Sequence, residues 1–346
     1  MAAKTANPEL ARLKADLAAK TPARLYLFYG EETYLKEHYL GALRTLAAED
    51  GFADFSIVEL DGGSLSLEAL TDAVDSVPFG ALRKLVVIRD YKLFQPTGAL
   101  KDALPELLPQ LPDYLTLVFD FAAVEFKPDK RLSLWKLIEK HAEVVEFRRA
   151  DLTDLAPWIR RRFSALGKDI DRAECEYLVF LCGSLMTGLT TEIEKIAAGT
   201  RTKQITRQDI DRLASRAIEA QVFDLTDRFT KGQTEQALAV LQDLFATKTE
   251  EVVILSVLAK HFQRLYAARL IWERHGGESE VMRICGLRSA YPARLLLQEA
   301  SRMSLQQLRR AVTLCADTDL ELKSSLPDPQ RILSMLVLRL ALGAAR

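Results

Sequence analysis

A glycine and a lysine near the N-terminus have the spacing of a phosphate-binding loop. Gly30 follows the apolar segment 25–29, and Lys36 comes six residues later, as the first glycine and the lysine do in the pattern G-x-x-x-x-G-K-S/T. In that pattern backbone amides surround the phosphates and the final hydroxyl binds magnesium. Here Leu35 stands in place of the second glycine, and Glu37 in place of the hydroxyl residue. The loop therefore lacks two groups that nucleotide binding requires.

Two carboxylates add to this defect. Glu31 and Glu32 follow the glycine and occupy the part of the loop that would surround the phosphates. The N-terminus of a helix attracts anions, but acidic side chains in the first turn can take that role themselves. One interpretation is a nucleotide-binding fold that does not bind nucleotide. The other is an ordinary strand-turn-helix in which the glutamates cap the helix.

The second half of a nucleotide site is also incomplete. Asp120 ends the apolar segment 114–119, where nucleotide hydrolases hold magnesium with an acidic pair, but Phe121 follows it instead of a glutamate. We interpret Asp120 as a strand-end residue that caps a turn. The four histidines, at positions 38, 141, 261 and 275, have no spacing that suggests a metal site or a proton relay. The sequence thus predicts no catalytic residues, no metal and no cofactor.

A turn with an aromatic residue at its tip follows a predicted helix. Pro78 prevents the helix from continuing, and Gly80 permits a sharp reversal, so Phe79 stands between two turn residues. Phe79 either folds back onto its own core or projects as an apolar anchor. A projecting ring that is buried in a partner's pocket contributes about 2 to 4 kcal/mol to binding.

The densest basic cluster lies beyond residue 150. It consists of Arg160, Arg161, Arg162 and Lys168. One interpretation is a solvated helical face. The alternative is contact with nucleic-acid phosphates, which lysine and arginine make without reading the bases.

The elements that must position these residues change in character along the chain. Between residues 24 and 147, apolar or β-branched segments at 24–29, 55–60, 84–89, 115–119 and 144–147 alternate with helical patterns at 31–49, 66–75, 98–108 and 131–140. This alternation predicts a doubly wound α/β domain with a parallel sheet. After residue 150 the strand signal disappears, and helical periodicity continues to the C-terminus.

We therefore predict three domains. They are an α/β domain over 1–150, a small helical domain over 151–215 with helices at 171–183, 189–198 and 206–214, and an all-helical domain over 216–346. The chain of 346 residues is long enough for this division. Its formal charge of −1 does not attract it to nucleic acid or lipid as a whole, so such contacts need a local patch.

Cysteine usage and hydropathy indicate the compartment. Cys175, Cys182, Cys285 and Cys315 form no C-x-x-C pair, and we expect four buried thiols in a reducing environment. No apolar run is long enough to span a membrane, and the N-terminal stretch lacks the apolar core of a secretion signal. The cytoplasm is the expected location.

Several stretches, taken in order, resemble one protein family. The segment from Leu25 to Glu37 contains a Y-G-x-E-x-Y/F-L motif and resembles the start of the delta subunit of the bacterial DNA polymerase III clamp loader. Three further stretches agree, at 76–88, at 222–238 and at 316–323 before a final apolar helix. Together they span nearly the whole chain.

This resemblance implies a RecA-like domain of the AAA+ type without a functional P-loop, a helical lid, and a collar that assembles with other loader subunits. In the family, an aliphatic-aromatic pair on the turn binds a pocket of the beta sliding clamp. Here the aromatic is Phe79, the aliphatic position is Pro78, and Val77 is the nearest substitute.

The function implied is that of a non-catalytic subunit of the DNA polymerase III holoenzyme. It would open the beta sliding clamp. Through its collar it would assemble with the ATPase subunits gamma or tau and with delta-prime. The complex would hold primed DNA in the bacterial replisome, in the cytoplasm. In that complex, the basic cluster of Arg160, Arg161, Arg162 and Lys168 is the candidate for contact with DNA phosphates. The alternatives are an AAA+ ATPase with an unusual phosphate loop and a helical adaptor unrelated to replication.

Overall fold

The computed structural model describes residues 7–49, 56–78, 80–324 and 328–344. These residues form two compact units. The first runs to Arg149 and includes the short segment Leu185–Thr187, and the second comprises Ala150–Ser184 and the chain from Gly188 onwards. The division of the second part of the chain at residue 215 stays a prediction.

In its described residues, the first unit contains five strands and five complete α-helices. In chain order they are α1 (Pro8–Ala19), β1 (Leu25–Tyr29), α2 (Thr33–Ala47), β2 (Ile57–Asp61), α3 (Leu67–Asp75), β3 (Lys84–Arg89), α4 (Ala99–Leu107), β4 (Leu115–Asp120), α5 (Ser133–His141) and β5 (Glu143–Glu146). Each strand agrees with a predicted segment to within two residues at either end. The agreement arises because buried strands are continuous apolar runs bounded by turn residues.

All five strands are parallel and lie in the order β2-β3-β4-β1-β5. Along β1, Leu25 and Leu27 belong to one core cluster, whereas Tyr26 and Phe28 belong to another. The sheet is therefore covered on both faces, as crossover helices require of a parallel sheet. The predicted doubly wound α/β class is confirmed. In such sheets sites form outside the carboxyl ends of the strands.

The second unit is mainly helical. Its helices are α6 (Leu152–Ala165), α7 (Arg172–Cys182), α8 (Met186–Gly199, whose first residues belong to the first unit), α9 (Arg207–Leu213), α10 (Ile218–Thr230), α11 (Thr234–Ala246), α12 (Glu251–Glu273), α13 (Glu278–Cys285), α14 (Ala290–Ala300), α15 (Leu305–Ser324) and α16 (Pro329–Ala344). The long helix α12 buries Leu258, Phe262 and Leu265 at the centre of the core.

The prediction of an exclusively helical chain after residue 150 is wrong at one place. Two short strands, β6 (Asp169–Ile170) and β7 (Gln204–Ile205), pair in parallel. Each has only two residues, so neither produces the alternation that identifies a strand in a sequence.

Two of the four thiols are less buried than predicted. All four cysteines are free, and Cys175 and Cys315 are buried, but Cys182 and Cys285 are partly exposed. Burial raises the pKa of Cys175 to about 12, which makes its thiol unreactive at neutral pH. Within the described ranges, no helix has both the length and the hydropathy to cross a membrane.

Candidate functional site

The loop after β1 is packed against the protein backbone. Gly30 has a φ of 118°, and a Cβ atom there would lie 2.4 Å from the carbonyl oxygen of Phe147. The amide of Glu32 donates to that same oxygen over 3.0 Å, and the amide of Phe147 donates to Tyr29 over 2.7 Å. One amide that a phosphate loop would offer to its ligand is thus already bonded within the protein.

The lysine of the loop forms a buried ion pair with the strand-end aspartate. The Nζ atom of Lys36 lies 3.0 Å from Oδ1 of Asp120 and donates to the carbonyl oxygen of Phe121 over 2.6 Å. At most 1% of either side chain is exposed. The two residues that would hold phosphate and magnesium in a nucleotide hydrolase therefore neutralise each other.

A chain of charges continues from this pair to the surface. Arg89, at the end of β3, lies 3.1 Å from Asp120 and 2.9 Å from Glu37. Arg44 then contacts Glu37 over 3.6 Å and Glu59 over 2.7 Å. Burial raises the pKa of Asp120, and the charge of Lys36 opposes this shift. The hydrogen bond from Arg89 lowers the pKa of Glu37, so that carboxylate stays ionised.

Glu32 is a buried carboxylate of the first unit. It has no exposed surface, and its two carboxylate oxygens accept from the amide of Met186 over 3.2 and 3.3 Å. Burial raises the pKa of Glu32, and that hydrogen bond opposes the shift. Glu31 pairs with Arg149 over 2.5 Å, and Leu35 packs against the core. A polyphosphate at this loop would meet carboxylates and an apolar side chain.

The predicted anchor turn follows α3. The Nζ atom of Lys84 donates to the carbonyl oxygen of Ser76 over 2.7 Å, which holds the start of the turn against β3. Val77 is 74% exposed, Pro78 is buried, and Gly80 has a φ of 70°. Phe79 lies outside the described residues.

A second exposed aliphatic residue follows the turn. Leu82 has the same exposed fraction as Val77, 74%. Among the described residues, Val77 and Leu82 have the largest exposed fractions of any large apolar side chain. Two such side chains that flank one turn mark it as a candidate contact surface.

The basic cluster is divided by its contacts. Arg160 and Arg161 are exposed on α6. The guanidinium of Arg162 lies 5.4 Å from the ring centre of Trp158. Lys168 donates to the carbonyl oxygens of residues 200 and 202 over 2.5 and 2.9 Å. Of the four predicted phosphate contacts, Arg160 and Arg161 therefore remain the most available to an external anion.

Comparison with known proteins agrees with this architecture. The family model for "DNA polymerase III, delta subunit" matches residues 26–148, and the model for the "DNA polymerase III delta subunit, C-terminal domain" matches residues 219–340. The chain belongs to the DNA polymerase III delta-subunit family. The resemblance stated from the sequence motifs is confirmed.

Relatives of this delta-family chain cover most of its length. It is 24% identical over 325 residues to DNA polymerase III subunit delta of Bacillus subtilis, covering 91% of this chain and 92% of the relative. It is 21% identical over 300 residues to the Escherichia coli subunit, covering 86% and 85%. The structure of the Bacillus subtilis DNA clamp loader delta protein matches with a TM-score of 0.54 and 22% identity, over 96% of this chain and 99% of that one. The match supports the parallel α/β sheet followed by a helical C-terminal part.

Sequence reasoning missed several residue contacts around the degenerate phosphate loop. It interpreted Asp120 as a turn cap, whereas the structure pairs it with Lys36, 84 positions away. It assigned no role to Arg89 or Met186, which bind Asp120 and Glu32. An aspartate at the end of an apolar strand, together with a lysine in a defective loop, was the available signal for the first of these contacts.

Proposed function

We propose that this chain is the subunit of a bacterial clamp loader that binds and opens the beta sliding clamp, so that the ATP-driven loader can place it on primed DNA. Membership of the delta-subunit family supports this role. The observation that carries the proposal is the turn after α3, where Val77 and Leu82 are both 74% exposed on either side of Phe79.

The turn has the properties of an anchor. Lys84 holds its first residue, and the ring of buried Pro78 fixes its own φ and restricts the residue before it, Val77. Fixing Ser76, Val77 and Pro78 before binding reduces the entropy that association must overcome. In this proposal Phe79 and Val77 enter an apolar pocket of the clamp, Leu82 covers its rim, and Pro78 shapes the turn.

The same proposal assigns no catalysis to this chain. The buried pair of Lys36 and Asp120 already neutralises the charges that phosphate and magnesium would need. ATP is bound by partner subunits, and their nucleotide state controls whether this chain reaches the clamp. A ligand shifts such an equilibrium only if it interacts differently with the two states, so the partners must contact this chain differently before and after hydrolysis.

The C-terminal helices supply a candidate assembly surface. Met335, Leu338 and Leu342 are exposed on α16 at a spacing that aligns them on one face. We propose that this face contacts the gamma or tau ATPases and delta-prime in the bacterial cytoplasm. Contacts with primed DNA would then come from Arg160 and Arg161, with a smaller share from Arg162 and Lys168, and would be independent of sequence.

Calorimetric titration with the beta sliding clamp of the same organism tests the clamp contact. We expect Phe79→Ala to weaken binding at least about tenfold, which corresponds to roughly 1.4 kcal/mol, and Val77→Ser to weaken it by a smaller factor. The matched control is Val252→Ser, because Val252 is an exposed valine, 54% accessible, in the second unit. Equal affinities for all four proteins would exclude the turn as the contact, and absence of wild-type binding would refute the clamp-opening role.

A further inference from the structure

A short segment at the start of α8 belongs to the first unit. It comprises Leu185–Thr187, whereas the residues directly before and after it belong to the second unit. Met186, the first residue of α8, is 4% exposed, but Leu185 and Thr187 on either side of it are exposed. With one buried side chain in three residues, apolar packing alone holds this segment weakly.

The amide of Met186 needs an acceptor from outside its own helix. The first four amides of an α-helix have no partner within the helix, and together with the macrodipole they favour an anion. Here the anion is the carboxylate of Glu32, whose two oxygens lie 3.2 and 3.3 Å from the nitrogen of Met186. Glu32 has no exposed surface, so water does not compete for this hydrogen bond.

The loop after β1 holds Glu32 in position for this contact. The amide of Glu32 donates to the carbonyl oxygen of Phe147 over 3.0 Å. Burial raises the pKa of Glu32, but the amide of Met186 and the charge of Arg149 oppose this shift, because both favour the ionised form. The carboxylate is therefore fixed by its own backbone and stabilised as an anion by its surroundings.

A second hydrogen bond lies beside the first. The hydroxyl oxygens of Thr33 and Thr187 are 3.1 Å apart. Thr33 directly follows Glu32 in the chain, and Thr187 directly follows Met186, so the two contacts are adjacent. Both threonines are exposed, and water competes with their hydrogen bond. Of the two contacts, the buried one with Glu32 therefore contributes more.

We propose that the carboxylate of Glu32 is an internal anion that fixes the first turn of α8 to the first unit without nucleotide. Glu32 lies two residues after Gly30, in the part of the loop that would surround phosphates. Phosphate groups bind helix N-termini through the same kind of amide. The chain thus supplies with its own side chain the negative charge that a phosphate would bring. The inference does not depend on the role in clamp opening.

Hydrogen–deuterium exchange of the full chain, resolved at single amides by mass spectrometry, tests the proposal. The first amide of a helix has no acceptor within the helix, so protection at Met186 requires an acceptor outside it. In the wild type we expect this amide to be protected without nucleotide, and ATP with magnesium should leave its exchange rate unchanged. Exchange at the rate of an unprotected amide, or protection that appears only with ATP, would overturn the proposal.

A charge-removing variant tests the role of the carboxylate. Glu32→Gln keeps the shape of the side chain and removes its charge, and we expect the amide of Met186 to exchange at least about tenfold faster, since a hydrogen bond to a charged acceptor is weakened. The matched control is Glu139→Gln, at an exposed glutamate of α5, which should leave the rate unchanged. Equal rates in the wild type and in folded Glu32→Gln would exclude the carboxylate as the group that holds α8.

Chemical rescue separates charge from shape. Glu32→Ala removes the carboxylate and leaves space for a small one, so formate at about 100 mM should restore protection at Met186. A folded Glu32→Ala protein that does not respond to formate, while Glu32→Gln exchanges faster, would refute the assignment of an internal anion. If either variant fails to fold, the exchange of the wild-type amide with and without ATP decides the question.

Discussion

The buried ion pair between Lys36 and Asp120 leads to a sharp stability prediction. Lys36→Met keeps most of the volume of the side chain and removes its charge. The change eliminates the 3.0 Å contact with Asp120 and the 2.6 Å hydrogen bond to the carbonyl oxygen of Phe121. Asp120 would then be a buried carboxylate whose remaining cationic contact is Arg89, at 3.1 Å.

The expected magnitude follows from these contacts. Removing one partner of a buried pair typically lowers the free energy of unfolding by about 3 to 5 kcal/mol. Because Arg89 still compensates part of the charge, we expect a value near the lower limit, about 3 kcal/mol. The double variant Lys36→Met/Asp120→Leu removes both charges, and its stability should return close to that of the wild type, since an apolar pair needs no compensation.

The effect should depend on pH in a defined direction. Burial raises the pKa of Asp120 in the folded protein, and loss of Lys36 raises it further. A group with a raised folded pKa contributes stability at low pH, and this contribution is lost as the pH rises through that pKa. The deficit of Lys36→Met relative to the wild type should therefore be smallest below the ordinary aspartate pKa of about 4 and should grow as the pH rises.

Urea unfolding measures this deficit in the first unit. Trp135 lies in that unit, so its fluorescence reports on it when Trp158 and Trp272 are replaced by phenylalanine. The matched control is Lys101→Met, at an exposed lysine of α4, which should change stability by less than about 0.5 kcal/mol. A deficit below about 1 kcal/mol for Lys36→Met, or one that increases as the pH falls, would refute the reasoning.

Three further predictions follow from the same geometry. ATP with magnesium should not raise the melting temperature, whereas a bound ligand at 100 times its dissociation constant would add about 2.7 kcal/mol to the free energy of unfolding. A melting temperature that rises with ATP concentration and then saturates would contradict the proposed loss of nucleotide binding. Gly30→Ala should destabilise the protein by at least about 2 kcal/mol in urea unfolding, because Gly30 has a positive φ and a close backbone contact. The control is Gly41→Ala on α2, where a Cβ atom meets open space, and this change should stabilise the protein by up to about 1 kcal/mol. Similar effects at both sites would contradict the packing argument. In the assembled loader, the double variant Arg160→Ala/Arg161→Ala should bind primed DNA with a weaker salt dependence. The slope of the logarithm of the binding constant against the logarithm of the salt concentration, measured by fluorescence anisotropy, should fall in magnitude by up to about two. An unchanged slope would exclude these residues as phosphate contacts.

The α/β part of the fold could be predicted closely, and the reason is local. Segments such as 84–89 and 115–120 are continuous apolar runs between turn residues, and buried parallel strands have this composition. The strands at 169–170 and 204–205 could not be predicted, because two residues cannot display a period.

The candidate sites were predictable to different degrees. The defects at Leu35 and Glu37 are visible in the sequence, since they are departures from a pattern of fixed spacing. The sequence did not show which basic residues of the cluster stay available to an external anion. Lys168 donates to two backbone carbonyls from a segment more than 30 residues away, whereas Arg160 remains exposed.

The sequence by itself determined which elements form and which chemical groups the phosphate loop lacks, because periodicity and motif spacing are properties of neighbouring residues. Tertiary structure alone decided that Lys36 meets Asp120 and that the carboxylate of Glu32 accepts from the amide of Met186. The first contact depends on the strand order, in which β4 lies next to β1 although two other strands intervene in the chain. That order results from how crossover helices pack on both faces of the sheet, which is a long-range property that local patterns do not encode.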